Sequence, residues 1–98
     1  MTITMNKNGK ELTVALEGRL DTLTAPDLEE KLEASLAGVE KLVFDFEKLQ
    51  YISSAGLRVL LTALQVMEEQ GEMKLKNVCP EIMDVFKITG LLEDLRVE

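Results

Sequence analysis

The stretch that most constrains this chain runs from Leu42 to Leu64, LVFDFEKLQYISSAGLRVLLTAL. Leu42, Val43, Phe44 and Phe46 make a nearly continuous β-branched and aromatic run broken only by Asp45, which is how a strand buried on both faces of a sheet reads. Glu47, Lys48 and Gln50 read as a polar connection, after which Tyr51 and Ile52 lead into Ser53, Ser54, Ala55 and Gly56. Hydroxyls just ahead of a leucine-rich run suit a helix start, because a serine oxygen accepts from N–H groups that the first turn leaves unpaired. An early-helix glycine costs roughly 1 kcal/mol against alanine, so Gly56 predicts close approach by another backbone or a ligand.

The helix that follows is apolar around most of its circumference. Leu57, Val59, Leu60, Leu61, Ala63, Leu64, Val66 and Met67 leave a single polar stripe of Arg58, Thr62, Gln65 and Glu69. Such a helix is either wedged into a core or shows a second apolar face to a partner. Its middle reads as burial, and its N-terminal end, beside the serines, as a partner face.

Upstream, Ile3 and Met5 alternate with polar residues, and Leu12, Val14 and Leu16 alternate again after Asn8-Gly9. Asn-Gly between two alternating runs predicts an antiparallel hairpin, since both turn positions can take positive φ. Glu17 to Leu23, EGRLDTL, reads as a connection, followed by a helix start with Thr24 as cap, Pro26 in the first turn and Asp27 three after the threonine. Leu28, Leu32 and Leu36 repeat every four residues, and Gly38 closes that helix. Downstream, Gly71 ends the apolar helix and MKLKNV predicts a strand with its lysines on the alternate face. Pro80 opens a further helix with Ile82, Val85 and Phe86 inward, and Gly90 stops it. Cys79 holds the cap position of that helix as a partly buried small side chain, with a redox role the lesser reading. Leu91, Leu92, Leu95 and Val97 close the chain as a turn and a last strand.

Strands alternating with helices predict a sheet with parallel pairs and right-handed helical crossovers. Ninety-eight residues suffice for one domain, spanning 1–98, with a single core. A net charge of -7 and a pI near 4.6 disfavour nucleic acid and anionic membrane surfaces as partners. No apolar run approaches the ~20 residues that a bilayer requires. The one cysteine cannot pair within the chain, which points to a reducing cytoplasm. Histidine is absent, and with it the commonest general base and the commonest metal ligand, so no catalytic group, metal or cofactor is expected.

The sequence EGRLDTLTAPDLEEKL, then VFDFEKLQYISSAGLRVLL, then VCPEIMDVFKITGL, behind a hairpin, resembles the STAS-domain family and within it the bacterial anti-sigma factor antagonists. The resemblance covers nearly the whole chain and rests on EGRLD, YISSAGL and PEIMDVFKITGL in that order and spacing. It implies a single α/β domain with a mixed sheet of four to five strands, an N-terminal antiparallel hairpin and three or four helices. In that family the unmodified antagonist binds an anti-sigma factor that is also a serine kinase, so that a sigma factor is released. The kinase uses ATP to phosphorylate the antagonist and end the interaction, and a PP2C-type phosphatase restores it.

The family's acceptor serine lies two positions before the glycine, which selects Ser54, with Ser53 the alternative. The implied partner surface comprises Asp21, Thr22, Ser53, Ala55, Gly56, Leu57 and Arg58. For Asp21 a turn residue bonding its own backbone is an equal reading. For Arg58 a plain surface charge stands beside a contact to partner carboxylates or to the phosphate. A phosphate in the first turn meets the positive end of the helix macrodipole, an effect of roughly 0.3–1 kcal/mol, so binding rather than folding should respond to it.

Three departures stand out. Many antagonists carry aspartate where this chain has Ser53, and a serine commonly precedes the proline where this chain has Cys79. Relatives typically continue into a C-terminal helix, so an uncovered apolar strip on the sheet or the neighbouring helix is expected, and with it dimerisation. Two other functions follow from the same residues: a STAS subunit docking on the ATPase of a phospholipid-type ABC transport complex, and an enzyme with Ser54 as nucleophile, for which no activating base is evident.

Overall fold

The computed structural model describes the backbone of residues 1–98 and every side chain except that of Leu92, so the expectation placed on that leucine lies outside the described residues. The chain opens with the hairpin β1 (Thr2–Asn8) and β2 (Glu11–Leu20) and continues through α1 (Ala25–Ser35), β3 (Lys41–Ile52) and α2 (Ser54–Gln70). After these come β4 (Glu72–Lys76), α3 (Pro80–Thr89), a 3-10 turn at Leu91–Glu93 and β5 (Arg96–Val97). The strands lie in the order β1-β2-β3-β4-β5, with β1 antiparallel to β2 and every later pair parallel.

Because successive parallel strands step in one direction across the sheet, right-handed crossovers put all three helices on the same face. Burial agrees. The registers Leu12↔Leu42↔Met73 and Val14↔Phe44↔Leu75 align one apolar face, and all six of these side chains are buried. Leu28 and Leu32 of α1, Leu60, Ala63 and Met67 of α2 and Ile82 and Phe86 of α3 close over that face as one core. The other face carries Thr4, Thr13, Lys41, Asp45, Lys74 and Arg96, laced by Lys41–Glu72, Arg96–Glu72 and Lys74–Glu98 pairs. Of its apolar residues Val43 is itself buried. The expected uncovered apolar strip is therefore not on the sheet. On the helical side, among the described residues, Ile88 of α3 (86% exposed) and Leu23 of the β2–α1 loop stand out as large exposed apolar side chains.

Three local expectations change. Asn8 stays in β1, paired with Glu11, and the hairpin turn is Gly9-Lys10, with Gly9 alone at positive φ (+63°). EGRL is not a connection but the end of β2. Most consequentially, β3 does not stop at Phe46 but runs twelve residues to Ile52. The register with β2 slips between Ala15 and Glu17 and again between Gly18 and Arg19, each time leaving one extra residue on β3. Two bulges turn a period of two into a period of three, so Phe46, Leu49 and Ile52 are buried while Glu47, Lys48, Gln50 and Tyr51 face water. What reads as a polar linker is strand.

Candidate functional site

The bulged end of β3 delivers the chain to the start of α2 beside the end of β2. Ser53 N–H donates to the Leu20 carbonyl (2.9 Å), tying the turn to β2. Ser53 is extended (φ −99°, ψ 175°), and its Oγ accepts from Gly56 N–H at 3.4 Å, so Ser53 is the N-cap. Ser54 is the first helical residue and is exposed, and among the described residues no hydrogen bond engages its hydroxyl. The paired serines thus have different jobs: one hydroxyl is used by the backbone, the other faces solvent at the positive end of a 17-residue helix.

The opposite wall is the β2–α1 loop. Asp21 Oδ1 accepts from the N–H groups of Leu23 (3.0 Å) and Thr24 (3.1 Å), with the Thr24 hydroxyl oxygen 3.2 Å away. Partial desolvation pushes the Asp21 carboxyl up. The bonds from Thr24 and Leu23, together with the nearby Arg19 guanidinium, outweigh it and hold the carboxyl below the ordinary aspartate range. Asp21 therefore shapes the loop. Thr24 does not cap α1 with its side chain as expected: its hydroxyl donates back to the Arg19 carbonyl (2.8 Å), and Ala25 N–H donates to the Asp21 carbonyl instead.

Thr22, Ala55 and Arg58 line one cleft of ≈ 240 Å³ between the starts of α1 and α2, together with Pro26, Glu29 and Thr62. Gly56 and Leu57, counted with the partner surface from sequence, point the other way. Both are buried, and a Cβ on Gly56 would stand 2.7 Å from Leu20 Cγ and 2.9 Å from Ile52 Cγ1. The close approach at this glycine is made by core side chains, not by a partner backbone or ligand. The exposed surface is thus Thr22, Ser54 and Arg58, with Asp21, Ser53 and Ala55 half-buried around it.

Three neighbours escape sequence reading. Arg19 stacks over the Tyr51 ring at 4.2 Å, bracing the end of β3 against the end of β2. Leu23 is 89% exposed. As the residue before the Thr24 cap it would be expected to staple onto Leu28, but Leu28 is fully covered by the core and Leu23 projects into solvent. The signal for Leu23 was present, an apolar residue between two threonines. The signal for Arg19 and Tyr51 depended on knowing that both lie in paired strands, at the register Arg19↔Tyr51.

A five-stranded mixed sheet with an N-terminal hairpin, helices on one face and a serine-led helix following the central strand is the architecture of a STAS domain. The STAS domain model matches residues 2–98, and the chain belongs to that family. It is 42% identical, over 94% of its length and 81% of the relative's, to BtrV of Bordetella bronchiseptica, a protein named as a candidate anti-sigma factor antagonist. It is 29% identical, over 91% of its length and 83% of the relative's, to the anti-sigma-B factor antagonist of Bacillus subtilis. Among solved structures it is similar in fold to SpoIIAA, an anti-sigma factor antagonist and Bacillus cell fate determinant. The unphosphorylated form gives a TM-score of 0.80 at 19% identity, covering 99% of this chain and 87% of that one. The phosphorylated form gives 0.78 at 21%, covering 99% and 91%.

Proposed function

We propose that this chain is an anti-sigma factor antagonist whose interaction with an anti-sigma factor serine kinase is ended by phosphorylation of Ser54 and restored by a PP2C-type phosphatase. The observation that carries this reading is the division of labour at the head of α2: Ser53 caps the helix while the Ser54 hydroxyl stands exposed and unengaged in its first turn. A phosphate there adds about 1.5–2 negative charges, which the adjacent backbone N–H groups and macrodipole accommodate. A partner packed over Thr22, Ser54, Ala55 and Arg58 must desolvate those charges. Binding changes while the scaffold does not. The names of the relatives support the antagonist role, and SpoIIAA, which shares the fold, is known in both forms.

Incubation with the cognate kinase and ATP tests the proposal. Phosphate should enter wild type and Ser53→Ala but not Ser54→Ala. Ser54→Asp should bind the kinase at least about tenfold more weakly, which corresponds to about 1.4 kcal/mol. Undiminished affinity of Ser54→Asp, or labelling of Ser54→Ala, would overturn it.

A further inference from the structure

A second groove, of ≈ 300 Å³, runs along the outer seam between α1 and α2. Its floor is formed by Leu32, Val59, Ala63 and Val66, and its α1 rim by Glu29 and Glu33. Gln70 lines its far end, where Nε2 donates to the carbonyls of Leu36 and Val39, both at 2.9 Å, and so pins the end of α2 to the chain that leaves α1. The groove is therefore preformed. At its near end it continues into the cleft beside Ser54, sharing Glu29, Val59 and Thr62 with it. From Val59 to Gln70 helix α2 advances roughly 16 Å, enough for about three turns of another helix.

The spacing of the anionic rim disfavours the helix that carries it. Glu29 and Glu33 are four apart on one helix, a like-charge spacing that destabilises it. Glu33 also sits near the negative end of the α1 macrodipole, where the last turn carries no basic residue. Among the described residues no ion pair reaches either carboxylate. An apolar trough with an uncompensated anionic lip is complementary to a surface that is apolar along one line and cationic beside it. A second copy of this chain, at net charge -7, would bring acid against acid, and a fatty carboxylate would meet the same repulsion.

We infer that the α1–α2 groove docks an amphipathic helix of a protein partner. That helix lays apolar residues at i, i+3 or i+4 and i+7 along Val59, Ala63 and Val66 and sets Lys or Arg against Glu29 and Glu33. The inference needs only the groove and stands whether or not Ser54 is phosphorylated.

The test uses two synthetic helical peptides of about 14 residues, long enough to span the groove, one built from leucine and lysine and one from leucine and glutamate. With isotope-labelled full chain, the Leu/Lys peptide should shift the amides of Val59, Thr62, Ala63 and Val66 saturably. It should bind at least about tenfold more tightly than the Leu/Glu peptide and weaken as salt rises. The double variant Glu29→Lys, Glu33→Lys should reverse that preference while its melting temperature stays level or rises. Thr62→Trp, which fills the groove from an exposed wall, should abolish binding of both peptides. Shifts scattered over the acidic surface, or Leu/Lys binding that survives Thr62→Trp, would reduce the effect to general charge attraction and overturn the inference. So would unfolding of the double variant, because the carboxylates would then be structural.

Discussion

At the scale of single residues, the head of α2 separates two serines that the sequence leaves equivalent. Replacing Ser53 by alanine removes the only hydroxyl that serves the Gly56 N–H and should cost about 1 kcal/mol in chemical denaturation, whereas Ser54→Ala should stay within about 0.5 kcal/mol. Gly56→Ala gains about 1 kcal/mol of helix propensity but drives a Cβ into Leu20 and Ile52, an overpacking cost of about 1–3 kcal/mol. The net expectation is a loss of up to about 2 kcal/mol. Asp21 supplies a pH signature. Its folded-state carboxyl titrates below the ordinary aspartate range, so its stabilising contribution is complete above the unfolded value and is lost as pH falls through the lower folded one. Wild type should therefore melt above Asp21→Asn at neutral pH, with the two curves meeting only at pH values below the usual aspartate midpoint. That Ser54 is the outward serine was legible only through family resemblance, because a cap and a first-turn residue differ by one position and by a ψ angle that no composition encodes.

Among the elements, β3 shows what sequence periodicity could and could not carry. Its first half, Leu42 to Phe46, is legible as a buried strand because apolar residues are nearly continuous there. Its second half has burial every third residue, a spacing that belongs to neither a strand nor a helix until the two slips against β2 are known. The helices were easier: Pro26, Pro80, Gly71 and Gly90 mark their ends in the sequence, and each stands at or beside a helix terminus in the structure. Gly71 also has a steric role. A Cβ there would lie 2.7 Å from the Glu40 carbonyl carbon, and backbone paired with neighbouring strands cannot yield as a side chain can. Gly71→Ala should thus destabilise by about 3 kcal/mol, more than Gly56→Ala, as read from denaturation midpoints.

For the molecule as a whole, order of elements and parallel pairing followed from the alternation of apolar runs, while the one-sidedness of the helical layer required the strand order. The fold predicts a scaffold indifferent to the proposed phosphorylation: chain phosphorylated at Ser54 should melt level with, or slightly above, unmodified chain in calorimetry. A lower melting temperature would mean that the phosphate disturbs the turn itself. The helix-free face of the sheet has a practical consequence. Thr4 and Thr13 look directly away from the serine-bearing turn and the α1–α2 seam, separated from both by the whole thickness of the core. A dye, a spin label or a biosensor tether fixed at Thr4 would report on complexes formed on the helical side without standing in their way.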